Sequence, residues 1–156
     1  MITLDAFDIS ILAILQADNT TPQRDIGERI GLSAPAVQRR IKRLRETGVI
    51  RADISVLDPE KMGRPITIFT EVKMEVEKVE IIKQAKAIFS STPQVQQCYY
   101  VTGDVDFILI LVVYSMKEYE ELTQQLFFGN NNVKSFKTSI VLDIVKAGLS
   151  IPINKP

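Results

Sequence analysis

The sequence predicts an α+β chain: an N-terminal (winged) helix-turn-helix domain followed by a ferredoxin-like βαββαβ domain. Three features of the pattern carry this. From Ile26 to Leu44 the apolar residues Ile26, Ile30, Leu32, Val37, Ile41 and Leu44 recur at helical intervals on both sides of Gly31, so one buried seam joins two short helices. Beyond residue 65 the apolar period switches from helix to strand and then alternates. Between the two patterns lies Asp58 to Pro65, DPEKMGRP, whose two prolines and glycine read as a linker. The expected domains are therefore residues 1–57, with a strand at their end, and 66–156.

In chain order, Asp5 is the expected N-cap of the first helix, with Asp8 at N3 and a Leu4–Ile9 staple, and Ile11, Leu12 and Leu15 face inward. Thr21 is expected to cap the second helix, with Pro22 at its first position. Gly31 supplies the left-handed residue that ends it, and Ser33 caps the third helix. Pro35 disfavours helical backbone at Ala34, which would delay that helix by one residue. Gly48 stops it, and Val49 to Leu57 is β-rich, as a strand or wing would be.

After the linker come strands at 66–76, 95–101, 105–114 and 133–145, with helices at about 78–90 and 116–128. Val79, Ile82, Ala85 and Phe89, then Met116, Tyr119, Leu122 and Leu126, give each helix one apolar stripe for the same face of the sheet. In the strand 105–114, Phe107, Leu109, Leu111 and Val113 point one way and Ile108, Ile110 and Val112 the other, so both faces are apolar. Helices can cover only one of them. The other calls for a second subunit, a homodimer built sheet to sheet.

Composition bounds the chemistry. With 156 residues and 46% hydrophobic content the chain can build real cores. Lys plus Arg equals Asp plus Glu at 19 each, yet 34–51 holds six basic residues against one acid while 58–156 is nearly balanced. The positive charge is local. One cysteine and no histidine leave no disulfide framework, no multi-cysteine zinc site and no common general base, so no catalytic or metal-binding residues and no cofactor are expected. No signal or membrane-spanning pattern is present, which reads as a soluble cytoplasmic protein without a membrane partner.

On the third helix Val37, Ile41 and Leu44 face inward, so Pro35, Gln38, Arg39 and Lys42 lie outward, placed for the groove of double-stranded DNA. Gln pairs bidentately with adenine and Arg with guanine, while Lys42 and Arg43 suit phosphates. Arg40 flanks the seam, where a structural ion pair and a phosphate contact are both open. Taken alone, a basic run of this kind is equally well a solvated helix face.

A second candidate is Thr102 to Asp106, TGDVD. Gly-Asp makes an ordinary two-residue hairpin turn with no ligand. Asp104 and Asp106 also place two carboxylates on one loop, suited to an ammonium, and Gly103 exposes backbone N–H groups able to hold a carboxylate. Together they would clasp the head group of an amino acid. The loop has no evident basic partner for an acidic side chain, which favours an apolar ligand such as Leu or Met.

The stretches LDAFDISILAILQAD (4–18), IGERIGLSAPAVQRRIKRLRETGVI (26–50), TGDVDFILIL (102–111) and KTSIVLDIVK (137–146) occur in the order found in the Lrp/AsnC (feast/famine) transcriptional regulators, which the chain resembles over nearly its whole length. The resemblance implies a DNA-binding domain, a hinge strand, and an effector-binding and oligomerisation domain whose homodimers assemble into higher oligomers such as octamers. It implies amino-acid effectors bound between dimers, with Thr138 and Ser139 of the final-strand motif, and Tyr100, joining Thr102, Gly103, Asp104 and Asp106. Gly27 and Thr20 depart from it, standing where Ala and Arg are usual. Gly27 should lose about 1 kcal/mol of helix propensity relative to Ala, and Thr20 a phosphate contact. Sirohaem decarboxylases share the two-domain plan but rely on histidine, so an enzyme is not expected. An effector-independent or architectural DNA-binding protein remains the alternative.

Overall fold

The computed structural model describes residues 3–129 and 132–153. These form two compact units: residues 3–56 together with 146–153, and residues 57–145. The expected second domain, 66–156, therefore differs from the second unit at its end, because the last described residues belong with the first unit.

The first unit is built from α1 (Ala6–Ala17), α2 (Gln23–Ile30) and α3 (Ala34–Glu46). At the start of α1, the Asp8 N–H donates to Asp5 Oδ1 at 2.9 Å and the Asp5 N–H donates to Asp8 Oδ2 at 3.1 Å, a reciprocal cap that satisfies two otherwise orphaned donors. At α2 the expectation shifts by one residue. Pro22 occupies the cap position with extended backbone, and the Thr21 hydroxyl instead donates to the Asp18 carbonyl at 2.9 Å. Ser33 caps α3, accepting from the Ala36 N–H at 3.4 Å. That helix begins at Ala34 and so is not delayed: Pro35 sits at its second position, where a missing N–H is harmless.

Ile11, Ile26, Val37, Ile41 and Leu44 form the core of this unit, lined further by Leu12, Leu15, Ile30, Leu32, Val49 and Ile50. Each fully buried aliphatic side chain contributes about 1.5–3 kcal/mol. The seam inferred from spacing is thus the core itself. Gly27 has a role that helix propensity does not express: a Cβ there would lie 2.3 Å from the Leu32 carbonyl oxygen, so its missing side chain lets the turn between α2 and α3 close. The expected strand at 49–57 does not form. A strand needs a hydrogen-bonded neighbour, and among the described residues none pairs with this stretch, where Ile54, Val56 and Leu57 are exposed.

The second unit opens on a closed turn within the stretch read as a linker. Met62 N–H bonds to the Asp58 carbonyl and Arg64 N–H to the Pro59 carbonyl, while Asp58 Oδ1 accepts from the Glu60 and Lys61 N–H groups. Then follow β1 (Ile66–Met74), α4 (Val79–Ser91), β2 (Val95–Tyr100), β3 (Phe107–Val113), α5 (Met116–Thr123) and β4 (Val133–Ile140). A π-helical turn, Gln124–Phe128, prolongs α5 and turns the consecutive side chains of Leu126 and Phe127 inward. The strands make one antiparallel sheet of order β2-β3-β1-β4, the arrangement expected of a ferredoxin-like domain.

Ile68, Val72, Phe107, Leu109, Leu111 and Val113 pack beneath Ile82, Ala85, Phe89, Tyr119, Leu122, Leu126 and Phe127, so both helices cover one face. Val79 and Met116, placed in the expected stripes, lie at the helix starts and are exposed. The opposite face carries Phe69, Ile108, Ile110, Val112 and Tyr99, partly or largely open. β4 stops at Ile140 instead of running to Val145. Its only neighbour among the described residues is β1, whose ladder with β4 ends at Ile68 and Ile140, with one further bond from the Val141 N–H to the Thr67 carbonyl. Past that point β1 has one residue left, Ile66, and no other strand among the described residues lies on that side of β4.

Candidate nucleic-acid interface and effector loop

The packing of Val37, Ile41 and Leu44 fixes the rotation of α3, and that rotation leaves Pro35, Gln38, Arg39, Lys42 and Arg43 exposed. The cationic groups differ in how far they are engaged. Arg40 Nη1 donates to Asp5 Oδ2 at 2.7 Å and to Asp8 Oδ1 at 2.8 Å, and the guanidinium lies 5.4 Å above the Phe7 ring. Arg43 Nη2 donates to Asp8 Oδ2 at 2.5 Å, and Arg45 Nε to Asp53 Oδ2 at 2.8 Å. Lys42 stands 3.7 Å from Glu46, with both side chains in solvent, where such a pair is weak. Arg39 has no ion pair among the described residues.

The backbone N–H of Asp8 and then the Arg40 guanidinium hold the Asp5 carboxyl below its ordinary range. Asp5, followed by Asp8, raises Arg40 in return. Of the two readings left open for Arg40, the geometry realises the structural ion pair. An open groove of about 330 Å³ runs beside the helix, lined by Leu32, Ala36, Arg39, Arg40 and Arg43.

The loop joining β2 to β3 is not the two-residue turn that Gly-Asp would make. The Val101 N–H donates to the Asp106 carbonyl at 2.9 Å, which leaves Thr102 to Val105 as a four-residue connection. Thr102, Gly103 and Asp104 are exposed. Asp106 is buried and already engaged: its Oδ2 accepts from the Met74 N–H at 2.7 Å, a donor released where the β1–β4 register shifts at Lys73 and Met74. Lys73 Nζ donates to the Asp104 carbonyl at 2.8 Å. A basic group thus stands at the loop that seemed to lack one. Sequence spacing gave no sign of it, because the two residues are 31 positions apart.

The remaining effector candidates are dispersed within one protomer. Thr138 lies on the helix-covered face, where its hydroxyl meets Tyr119 Oη at 2.6 Å, and that hydroxyl in turn meets Thr70 Oγ1 at 2.9 Å. Ser139 pairs with Phe69 on the opposite face. The Tyr100 ring packs against Phe107 at 5.1 Å, with Lys86 Nζ 4.3 Å from its centroid. The structure therefore brings Lys73 to the exposed part of the loop at Asp104, turns the Asp106 carboxylate onto the Met74 N–H, and does not gather Thr138 and Ser139 with them. Among the described residues no group of three or more His, Cys, Asp or Glu side chains could hold a metal, and no helix is long and apolar enough to cross a membrane.

Comparison with known proteins assigns these two places to recognised domains. Residues 4–45 match the AsnC-type helix-turn-helix domain and residues 67–151 the Lrp/AsnC ligand binding domain. An uncharacterised HTH-type transcriptional regulator of Sinorhizobium fredii is 43% identical over 150 residues, covering 96% of this chain and 89% of its own. The glutamate uptake regulatory protein of Zymomonas mobilis is 38% identical over 79% of this chain and 75% of its own. A transcriptional regulator of Neisseria meningitidis, solved in complex with L-Met, superimposes with a TM-score of 0.90 at 28% identity, covering 97% of this chain and 98% of that one. The chain belongs to the Lrp/AsnC family of helix-turn-helix transcriptional regulators, DNA-binding proteins with a small-molecule ligand domain rather than enzymes.

Proposed function

We propose that this regulator reads DNA through Gln38 and Arg39 of α3, with Pro35 at the same surface and Lys42 on a phosphate, and that an amino acid bound at the loop 102–106 alters that reading. The observation that carries the DNA half is the exposed row Pro35, Gln38, Arg39 and Lys42, with Arg39 held by no ion pair among the described residues. Selection from a randomised duplex library with wild type and Arg39→Ala tests it. The variant should lose preference at one or two positions while still binding, and an unchanged preference would refute the role.

The effector proposed is an apolar amino acid, its ammonium at Asp104 and Asp106 and its carboxylate at the Gly103 backbone. The Neisseria relative bound to L-Met supports this choice. Lys73 supports a second reading, an acidic amino acid whose side chain would displace the Asp104 carbonyl from Nζ. Calorimetry against the twenty amino acids separates the two, and silence for all of them would leave an effector-independent regulator. For the ligand to act, it must favour one assembly or conformation over another.

The working unit proposed is a homodimer, itself assembling further, formed through the sheet face of Phe69, Ile108, Ile110 and Val112. Thr138 and Ser139, separated from the loop within one protomer, would then reach an effector only from a neighbouring copy. Sedimentation of the full chain at micromolar concentration tests this, and a stable monomer would remove it. The proposed division remains a DNA-binding domain at 1–57, a linker at 58–65 and an effector domain at 66–156, supported at its first boundary by the break between the units after Val56.

A further inference from the structure

The arginines on α3 are not equivalent. Arg39 and Lys42 face solvent, whereas Arg40 and Arg43 are both turned onto one carboxylate of α1. That carboxylate, Asp8, is 1% exposed, and its two oxygens are divided between the two guanidiniums: Oδ1 takes Arg40, while Oδ2 takes Arg43 and the Asp5 N–H. Asp5 adds a second oxygen on Arg40 Nη1. Two acids and two arginines thus neutralise one another beside the surface that meets DNA.

An arginine adjoining a DNA-binding surface ordinarily adds a phosphate contact. Such contacts strengthen binding to every sequence equally and raise its dependence on salt. An arginine held by a buried carboxylate must break a charge-assisted hydrogen bond, and leave that carboxylate unpaired, before it can reach a phosphate. We infer that Asp8, assisted by Asp5, is a specificity-determining residue that withholds Arg40 and Arg43 from the DNA backbone and so suppresses sequence-independent binding. The free charge left on α3 is then mainly Arg39 and Lys42, fewer than the basic run suggests. This goes beyond the reading of Gln38 and Arg39 as base contacts and does not depend on it.

The test is the salt dependence of binding to a duplex of scrambled sequence, measured by fluorescence anisotropy on the full-length protein. The slope of log Kobs against log salt changes by about 0.9 per phosphate contact, which multiplies the loss of affinity between about 50 and 200 mM salt by about 3.5. Lys42→Gln should flatten the slope by that amount for each protomer bound, whereas Arg43→Gln should leave it unchanged. Asp8→Asn, with its fold checked by circular dichroism, should steepen it by about 0.9 or more per protomer. Asp8→Asn combined with Arg43→Gln should return part of the way to wild type. Two results would overturn the inference: an Arg43→Gln slope flattened as much as that of Lys42→Gln, or a folded Asp8→Asn protein whose slope is unchanged or flatter. The Arg43→Gln measurement decides the matter even if Asp8→Asn fails to fold. Arg43 is half exposed, and in that variant Asp8 keeps Arg40 as its partner.

Discussion

Replacing Gly27 by Ala sets a local propensity against a tertiary contact, and the structure says which should win. Within a helix, Ala is favoured over Gly by about 0.8–1.0 kcal/mol, so propensity alone makes Gly27→Ala stabilising. The new Cβ, however, would stand 2.3 Å from the Leu32 carbonyl oxygen and 3.4 Å from its carbon. The first distance is well inside van der Waals contact, and the atom met is backbone, which cannot rotate away. Leu32 is moreover tied back to the same residue, its N–H donating to the Gly27 carbonyl at 3.0 Å. Relieving the clash means opening the turn that seats Val37 and Ile41 in the core. Overpacking of this kind costs about 1–3 kcal/mol. Set against the propensity gain, the expected result is anywhere from neutral to a destabilisation of about 2 kcal/mol, and not a gain. Urea unfolding of the full-length protein, followed by far-ultraviolet circular dichroism, reads the difference as a shift of the transition midpoint at constant slope. A variant stabilised by the full propensity difference would show that the turn opens without cost and that the close approach has no energetic weight.

Other expected outcomes follow from single contacts. Lys42→Ala should weaken DNA binding evenly across sequences, seen as parallel loss of affinity on operator and scrambled duplexes in gel-shift titrations. Tyr119→Phe removes the hydroxyl between Thr70 and Thr138 and leaves the fully buried Thr70 without that partner, a loss of about 1–3 kcal/mol in urea unfolding; Thr70→Val in the same background should restore part of it. Glu118 gives the acid limb its sign. Burial alone would raise its carboxyl, but hydrogen bonds from Gln94, the Tyr114 N–H and Arg64 together hold it below its ordinary value. A carboxyl lowered in the folded state adds stability above its unfolded value, about 4.3, and loses it as pH falls through the lower folded value. Glu118→Gln should therefore flatten the fall in stability on acidification, as read by thermal unfolding across that range.

Much of what depends on neighbours close in sequence could be read from the residues themselves, although the Thr21 cap, the delay at Pro35 and the two-residue Gly-Asp turn did not form. The Asp5–Asp8 cap, the Gly31 turn, the Ser33 cap and the seam from Ile26 to Leu44 are set by side chains within a few positions of one another, and each is present. The alternation in β3 separated its two faces as the structure has them, because a period of two needs no knowledge of the partner strand, but it did not say which face the helices would cover. Other features that sequence reading missed depend on distant residues. Lys73 at Asp104 and the reach of Asp8 to Arg40 and Arg43 join positions more than thirty apart. Gly27 looked like a propensity defect because the atom it makes room for belongs to the far side of a turn.

The strand ends are the informative case. Both stretches expected to be β but irregular here, 49–57 and 141–145, are rich in β-branched and aliphatic residues, and both leave Val56, Leu142 and Val145 almost fully exposed. Strand-forming composition fits a half-buried pleated surface and does not by itself make a strand, since the backbone must also find a ladder. Among the described residues those two stretches find no ladder beyond the one bond from the Val141 N–H to the Thr67 carbonyl. The same chain leaves Phe69 exposed on the uncovered sheet face, beside the partly open Ile108 and Ile110. Composition that asks for pairing in two stretches and for burial on one sheet face, and that finds neither satisfied in full among the described residues, is the physical reason to expect a second copy. It also yields a check apart from sedimentation: amide exchange at 51–57 should be fast in any monomeric variant and slow in the assembled protein, and equal exchange in the two would mean that this segment has no partner in either.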